Sequence, residues 1–328
     1  MNTETLKYQI ALTLIPGVGD VLAKNLISYC GSAEEVFKQK KAQLFKIPDI
    51  GPVIAESIVK FNSFKRAEEE IKFIEKYKIQ PLFYLDKTYP ERLKQCYDSP
   101  PLLYYKGNVE LNQTKILAIV GTRKASDYGK AITEEIISGL SQEGILIISG
   151  LAYGIDIYAH KAALKNNLNT IGVVGHGLDT IYPAIHKPVA EKMINQGGIL
   201  TEFMSKTKMS PENFPARNRI VAGISDAVLI VEAAEKGGAL ITAEIANSYN
   251  RDVFAIPGRS IDTVSRGCNY LIKSNKAALV ESHAIPPYCY ECICQLTECS
   301  VFETAFQSSE SLLSNYNTVQ KMEITGRF

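Results

Sequence analysis

Residues 113–282 alternate between short apolar runs and amphipathic segments, and this alternation limits the possible folds more than any other feature of the chain. The apolar runs are rich in β-branched residues, which is typical of buried strands, and the segments between them have the length of helices. Strands are predicted over 116–120, 145–149, 170–174, 199–201, 227–231, 253–256 and 278–280. Helices are predicted over 128–142, 155–165, 188–195, 216–223 and 240–249. This order predicts an α/β fold with a Rossmann-like, doubly wound, mostly parallel sheet.

The first 62 residues have an all-helical pattern that contains two copies of a short unit. Ile15-Pro16-Gly17-Val18-Gly19 precedes one predicted helix, and Ile47-Pro48-Asp49-Ile50-Gly51 precedes another. The repeat resembles the helix-hairpin-helix motif of small SAM-like domains, whose glycine turn offers backbone amides to a DNA phosphate. Gly17 and Gly19 are therefore a candidate secondary DNA contact. Asp49 weakens the same prediction for the second copy, and a packing or protein-contact role stays open for both.

Four regions follow from these patterns. Residues 1–62 form the helix-hairpin-helix-like domain, and residues 63–112 are predicted to be a packed connector with one charged helix and short strands between turns. Residues 113–282 form the Rossmann-like, DNA-binding core. Residues 283–328 are predicted to be an irregular tail that contains cysteines.

The tail brings together four of the seven cysteines, which raises the question of a zinc site. The four are Cys289, Cys292, Cys294 and Cys299. Four thiolates are sufficient for zinc, but structural zinc sites normally have two well-separated knuckles and this spacing is cramped. No metal is therefore predicted.

The charge balance limits how the chain can bind a polyanion. With 36 basic and 35 acidic residues the net charge is +1, so nucleic-acid binding has to depend on a local patch. The N-terminal segment has neither a basic region followed by a long apolar run nor a membrane-spanning stretch. We therefore expect a cytoplasmic protein, and the scattered distribution of the other cysteines agrees with a reducing compartment.

A local patch is predicted where the strands end. In a doubly wound sheet, ligands bind at the carboxyl ends of the strands, and the loops at those positions here are rich in glycine and polar residues. Residues 214–223 add an aromatic and two arginines at a helix start, which suits phosphate binding and base stacking. The residues expected to contact DNA are Gly121, Thr122, Arg123, Lys124, Ser149, Gly150, Lys208, Phe214, Arg217, Asn218, Arg219, Gly237 and Gly238. Lys206 is expected to assist Lys208.

Motifs of cofactor-dependent or catalytic proteins are absent from the sequence of the core. Neither G-x-G-x-x-G after the first strand nor G-x-x-x-x-G-K-[ST] occurs, which argues against a dinucleotide cofactor and a P-loop. Asp156 and His160 are spaced i, i+4 on one predicted helix, while His176, His186 and Glu244 lie in other segments. For all of these we predict hydrogen-bonding or structural roles, with no catalytic residue and no cofactor.

Five motifs, in this order along the chain, resemble the DNA-processing protein A (DprA, also called Smf) family. They are Gly121-Thr122-Arg123, Ser149-Gly150-x-Ala152-x-Gly154-Ile155-Asp156 with His160, Tyr182-Pro183, Phe214-Pro215-x-Arg217-Asn218-Arg219-Ile220, and Ser265-x-Gly267-x-Asn269-x-Leu271-Ile272. The resemblance covers about residues 89–280. The winged-helix-like domain that many members append is not apparent in the tail.

This resemblance implies a Rossmann-like core that binds and protects incoming single-stranded DNA. It also implies a homodimer that helps to load the RecA recombinase in natural transformation, without catalytic turnover. On this basis Arg123, Arg217 and Arg219 would hold phosphates and Phe214 would stack on a base. Gly121, Gly150 and Gly238 would let the strand approach the backbone.

Two other functions remain open from the sequence. Gly237-Gly238 with Thr242 and Glu244 is similar to the phosphate loop of nucleotide-processing phosphoribohydrolases, although the spacing differs. The third alternative is an interaction scaffold whose pocket no longer binds a ligand.

Overall fold

The computed structural model describes residues 2–282 and begins with a small domain of six helices. They are α1 (Thr3–Thr13), α2 (Asp20–Cys30), α3 (Ala33–Lys38), α4 (Lys41–Leu44), α5 (Pro52–Val59) and α6 (Phe64–Tyr77). Side chains cap the first turns: the Asn2 Oδ1 accepts a hydrogen bond from the Glu4 amide at 3.0 Å, and the Ser32 Oγ accepts one from the Glu35 amide at 3.2 Å. Both caps satisfy amides that a helix start leaves without partners.

The two predicted hairpins have the same backbone conformation. Gly17 and Asp49 occupy equivalent left-handed positions, with φ of +81° and +64°. Gly19 and Gly51 then form the N-caps of α2 and α5 in an extended conformation. Aspartate is among the few residues that tolerate the left-handed region, so the sequence difference at this position does not change the turn.

Residues 63–112 contain the charged helix and the short strands that the sequence predicts, and these elements pack into the helical domain and the sheet. Helix α6 belongs to the helical domain, because Ala67, Ile71 and Ile74 are buried in the same cluster as Ile10 and Leu26. The remainder contributes two strands to the sheet, β1 (Gln80–Phe83) and β2 (Leu102–Gly107), with the short helix α7 (Glu91–Lys94) between them. The physical reason is burial, since strand side chains on both faces of β2 are covered.

The core of the fold contains the seven strands that the sequence predicts. They are β3 (Ile116–Val120), β4 (Leu146–Ser149), β5 (Thr170–Val173), β6 (Gly197–Thr201), β7 (Ala227–Ile230), β8 (Asp252–Ala255) and β9 (Ala278–Leu279). The helices are α8 (Asp127–Gly139), α9 (Ile155–Lys165), α10 (Lys187–Asn195), α11 (Asn213–Ile224), α12 (Gly238–Ser248) and α13 (Arg266–Lys273). The α/β prediction is confirmed.

The sheet has nine strands in the order β1-β2-β6-β5-β4-β3-β7-β8-β9. Strands β3 to β9 are parallel, and only β2 within this sheet runs antiparallel to its neighbours. Strands β4, β5 and β6 are added on one side of β3, and β7, β8 and β9 are added on its other side. The boundary between β3 and β7 is therefore the topological switch point of the sheet. The carboxyl edge at such a switch point is the usual position of a ligand site.

Helices cover both faces of the sheet. In β3, Ile116, Ala118 and Val120 belong to the apolar cluster that includes α11 and α12. Leu117 and Ile119 belong to the cluster on the other face, with α8 and α9. Successive side chains of β3 thus pack on opposite faces of the sheet, and both faces are covered by helices. This confirms the doubly wound architecture. Within residues 2–282, no helix has both the length and the apolar character that a membrane span needs.

Candidate nucleic-acid interface

A crevice of about 780 Å³ opens at the switch point. Its walls are the loop after β3 (residues 120–123), the loop after β7 with the first turns of α12 (residues 233–244), and the exposed side of α11. We call it the switch-point crevice. Phe214, Arg217 and Asn218 line it from α11, and Arg123 lines it from the β3 loop.

Arg217 lies at the base of this crevice and is 6% exposed. Residues 2–282 give its guanidinium no hydrogen bond and no ion pair, and its Nε is buried without a partner. Burial lowers the pKa of Arg217, and burial also raises the pKa of nearby Asp156. Buried polar groups are normally satisfied, so an unpartnered guanidinium facing a crevice indicates a site for an anion.

Position 150 has to be a glycine, because the side chain of Arg217 fills the space that a Cβ atom would take. A Cβ on Gly150 would lie 2.1 Å from Nη1 of Arg217 and 2.3 Å from Oδ2 of Asp156. Gly121 is required for a similar reason, because a Cβ there would lie 2.5 Å from Cγ1 of Ile155. Side chains of the protein thus explain both glycines, and a DNA contact by Gly150 or by Gly121, which lines the crevice, stays a prediction.

The glycines before α12 are different. Gly237 is the N-cap of this 11-residue helix, and a Cβ on it would meet no atom within 4 Å. A Cβ on Gly238 would be 3.7 Å from the Asn218 Nδ2, which donates a hydrogen bond to the Gly238 carbonyl at 3.2 Å. The start of α12 thus leaves open space and amides beside the crevice, as an anion site requires.

Aromatic rings form the outer wall. The Phe214 ring centroid is 6.1 Å from that of Tyr182, and the Arg123 guanidinium carbon is 5.8 Å from the Phe214 centroid. Tyr153, half exposed, packs edge-on against His186 with the ring centroids 5.0 Å apart. Phe214, Tyr153 and Tyr182 surround a small pocket of about 80 Å³ that opens next to the crevice. Flat apolar faces beside cationic groups suit a nucleobase next to its phosphate.

The remaining predicted contacts are distributed unevenly. Thr122 lines the crevice, whereas Lys124 lines an adjoining groove. Lys208 is exposed just before α11, and its carbonyl accepts a hydrogen bond from the Asn213 Nδ2 at 3.4 Å. Lys206 is 3.8 Å from Glu69.

The predicted DNA contact of Ser149 has to be corrected. It is fully buried, and its hydroxyl donates to the carbonyl of Ile119 at 2.6 Å, inside the sheet. A strand residue with its side chain in the core cannot contact DNA, so the role of Ser149 is to connect β4 to β3.

The predicted DNA contact of Arg219 also has to be corrected, because its side chain points away from the switch-point crevice. Its Nη2 lies 3.0 Å from Oδ2 of Asp20 and is also paired with Glu202, and its Nη1 donates to the carbonyl of Asp98. On a helix each residue is rotated by about 100°, so residues two apart point to nearly opposite sides. Two carboxylates and a carbonyl already engage this guanidinium on the side away from the crevice, so the predicted DNA contact of Arg219 does not fit the structure.

We call the surroundings of Arg219 the domain junction, defined by Asp20 and Lys24 of α2 together with Asp98, Glu202 and Arg219 of the core. Lys24 donates to the carbonyl of Tyr97 at 2.7 Å and to the Ser99 hydroxyl at 2.8 Å. Burial, assisted by the charges of Asp20 and Asp98, raises the pKa of Glu202 to about 7. Two carboxylates and the Asp98 carbonyl thus share one arginine where the helical domain meets the core.

The histidines and Glu244 have the structural roles predicted for them. His160 is buried between the Gly150 carbonyl, 2.6 Å from Nε2, and the Thr170 hydroxyl, 2.7 Å from Nδ1, and burial lowers its pKa to about 4. His176 accepts from the Tyr182 amide at 3.2 Å, and the His186 Nδ1 lies 2.9 Å from the Leu151 carbonyl. Glu244 is exposed and lies 3.7 Å from Lys276.

Asp156 is not paired with His160. Its carboxylate accepts from the Ala152 amide at 3.4 Å and lies beside Arg217 instead. This placement makes Asp156 part of the site, which the i, i+4 spacing did not indicate. Tyr153 and Tyr182 were likewise not among the predicted contacts, although both stand in the family-like motifs.

The first hairpin lies on the surface, with Gly17 and Gly19 both exposed. The next residue is Asp20, which belongs to the domain junction. A DNA contact by this hairpin stays a prediction. In the described part of the chain no cluster of three or more metal-ligating side chains occurs, and Cys289, Cys292, Cys294 and Cys299 lie outside the described residues.

Comparison with known proteins places this geometry in a family. Residues 80–285 match the model of DNA recombination-mediator protein A, and residues 10–71 match a helix-hairpin-helix motif. The protein Smf of Synechocystis sp. is 37% identical over 286 residues, which cover 85% of this chain and 71% of Smf.

Two solved structures are similar. DNA processing protein A from Streptococcus pneumoniae has a TM-score of 0.73 and 35% identity, over 84% of this chain and 95% of that one. DNA processing protein A from Helicobacter pylori, whose structure concerns its single-stranded DNA binding mode, has a TM-score of 0.56 and 31% identity, over 62% of this chain and 90% of that one. The chain therefore belongs to the DNA recombination-mediator protein A family, whose members include the Smf and DprA proteins.

Proposed function

We propose that the switch-point crevice binds single-stranded DNA and that Arg217 is its central phosphate contact. The observation that carries the proposal is the buried Arg217 guanidinium, which forms no hydrogen bond or ion pair with residues 2–282 and has only the charge of Asp156 beside it. A buried cation without a partner is unfavourable, and a phosphodiester bound there would supply the missing acceptors. Arg123, exposed at the entrance, adds a second cation.

The aromatic wall favours a single strand over a duplex. Phe214 and Tyr182 offer ring faces beside the cationic groups, and only unpaired bases have their own faces free to stack on them. Stacking on a ring and contact with a phosphate both tolerate any base. We therefore propose binding that tolerates many sequences.

The proposal includes the finer expectations that the family resemblance carries. They are protection of incoming strands, help in loading the RecA recombinase during natural transformation, self-association into a dimer, and a cytoplasmic location. The DprA protein from H. pylori is described by its single-stranded DNA binding mode, which supports single-strand binding by this chain. The expected role is binding without turnover.

The phosphoribohydrolase alternative has less support from the side chains it needs. The Thr242 hydroxyl donates to the Gly238 carbonyl at 3.0 Å, inside its own helix, and Glu244 faces Lys276. Both residues line the crevice, but the Thr242 hydroxyl is already engaged by its own helix and Glu244 is paired at its exposed end.

Binding of fluorescent oligo-dT by wild type, Arg217→Ala and Arg217→Lys across a salt series tests the proposal. We expect Arg217→Ala to weaken binding by about 2 kcal/mol, roughly 30-fold, because a charge-assisted hydrogen bond is lost. Its salt slope should fall by about 0.7 for each lost phosphate contact. Arg217→Lys should retain the slope but lose affinity, since lysine cannot form a two-pronged contact.

Lys273→Ala, at the end of α13, is the matched control and should bind as wild type does. Equal affinity of Arg217→Ala and wild type would refute the proposal. Release of free base from nucleoside monophosphates, measured by chromatography, would instead support the phosphoribohydrolase alternative.

A further inference from the structure

A second basic groove lies beside the switch-point crevice. It has a volume of about 370 Å³ and runs between the loop after β3, the start of α8 and the outer side of α9. We call it the lysine groove, and the residues that define it are Arg123, Lys124, Lys130, Tyr153, Tyr158 and Lys161. No acidic residue lines it.

The groove has the chemistry of a strand-binding channel. Tyr158 lies between two lysines, with the Lys130 Nζ 5.6 Å and the Lys161 Nζ 5.5 Å from its ring centroid. Cations on either side of an aromatic ring match the alternation of phosphate and base along a single strand.

These cations are only weakly neutralised. Lys130 is 2.8 Å from Asp127, whose side chain is fully exposed, and such a pair is well screened by water. Glu134, one turn further along α8, is engaged by Lys165. Within residues 2–282, Lys124 and Lys161 form no ion pair.

The groove is continuous with the crevice. Arg123 lines the crevice, the small aromatic pocket and the lysine groove, and Tyr153 lines the last two. A strand anchored at Arg217 therefore meets a cation and then a half-exposed ring at the point where the crevice ends.

From this arrangement we infer that the lysine groove is a second subsite for the phosphodiester backbone, which extends the footprint of the strand beyond the crevice. The inference rests on the proposed function of the crevice. Short oligonucleotides fill the crevice alone, and longer ones also occupy the groove.

Oligonucleotide length separates the two subsites. We expect Lys130→Ala/Lys161→Ala to bind oligo-dT of about 6 nucleotides as wild type does and to bind oligo-dT of about 20 nucleotides roughly 5- to 10-fold more weakly. The salt slope for the longer oligonucleotide should fall by about 1.4, which corresponds to two phosphates. Lys72→Ala/Lys273→Ala removes two exposed lysines elsewhere and controls for net charge.

Each other outcome is decisive. If the two double variants bind the longer oligonucleotide equally, or if the groove variant weakens both lengths to the same extent, the second subsite is overturned. Arg217→Ala serves as the internal reference. Weaker binding of both the short and the long oligonucleotide by that variant supports DNA binding in the crevice, independently of the groove. If Arg217→Ala weakens neither length, the proposed function fails, and the groove proposal fails with it.

Discussion

The switch-point crevice and the domain junction each contain one arginine of the same helix, and they treat it in opposite ways. Arg217 is buried in the crevice without a hydrogen bond or ion pair, whereas Arg219 is surrounded by Asp20, Glu202 and the Asp98 carbonyl. One guanidinium is left for a ligand, and the other holds two domains together. Residue type and sequence position therefore do not determine the role of an arginine; its direction from the helix axis does.

The two regions also differ in where their charge is balanced. The domain junction has more carboxylates than cations beside Arg219, so its electrostatics are internal and belong to folding stability. Three cations and three carboxylates line the crevice, but Glu235 pairs with Arg266 and Glu244 with Lys276, both outside its lining, so a bound phosphate would balance the remaining positive charge. Changes in the junction should therefore alter stability, and changes in the crevice should alter binding.

The largest expected effect comes from Arg219→Ala. Removing this side chain leaves Glu202 and Asp20 without their cation, and breaking a buried pair costs about 3 kcal/mol. We expect the denaturation midpoint in urea to fall accordingly, while the affinity for oligo-dT of the folded fraction stays near that of wild type. Arg217→Ala is the matched variant on the same helix and should show the reverse pattern. Equal effects of both variants on oligo-dT binding would contradict the division of roles between Arg217 and Arg219.

A smaller effect is expected from the titration of Glu202, which lies among Arg219, Asp20 and Asp98. Its pKa rises from 4.5 to about 7 on folding because of burial. The native state thus holds this proton more tightly, so the stabilisation is complete below pH 4.5 and is lost as pH rises through about 7.

Glu202→Gln removes this titration. We expect the difference in unfolding free energy between wild type and Glu202→Gln to change by about 2 kcal/mol between pH 5 and pH 8, with wild type losing stability as pH rises. Chemical denaturation at both pH values measures it. A difference that is independent of pH would show that Glu202 stays ionised. Oligo-dT binding of this variant should follow the wild-type pH dependence.

The smallest effect is expected from the ring of Phe214. Phe214→Ala removes a stacking face, and we expect a loss of about 1 kcal/mol, roughly 5-fold in affinity for oligo-dT. The salt slope should remain that of wild type, because no phosphate contact is lost. Phe214→Leu retains apolar volume without a ring, so it should resemble Phe214→Ala. Wild-type affinity of Phe214→Leu would point to packing of α11 instead of stacking.

Much of the site could be predicted because its signals are local. The loops at the carboxyl ends of β3 and β7 follow from the strand pattern, and Arg123, Arg217, Phe214 and Gly238 were identified from them. Arg219 and Ser149 were assigned wrongly because their direction was not considered. A helical wheel separates Arg217 from Arg219, whereas β4 is buried at every residue, so its position at the end of a fully buried strand is the signal for Ser149.

Other parts of the site depend on contacts that no local pattern contains. Asp156 beside Arg217, and Glu202 beside Arg219, join residues that are distant in sequence and meet only when the helices dock. Gly150 resembles a ligand-binding glycine in sequence, but its space is filled by Arg217 and Asp156. Sequence cannot distinguish a glycine that admits a ligand from one that admits a neighbouring side chain.

The sequence by itself determined the alternation of strands and helices, the repeated hairpin with Gly17 and Asp49, and the position of the ligand edge, since these depend on the period of burial and on local backbone preference. Tertiary structure alone decided that residues 63–112 complete the helical domain and the sheet, and that Arg219 joins the two domains. Burial and partner choice are properties of the packed molecule. For that reason, two arginines two residues apart have different functions.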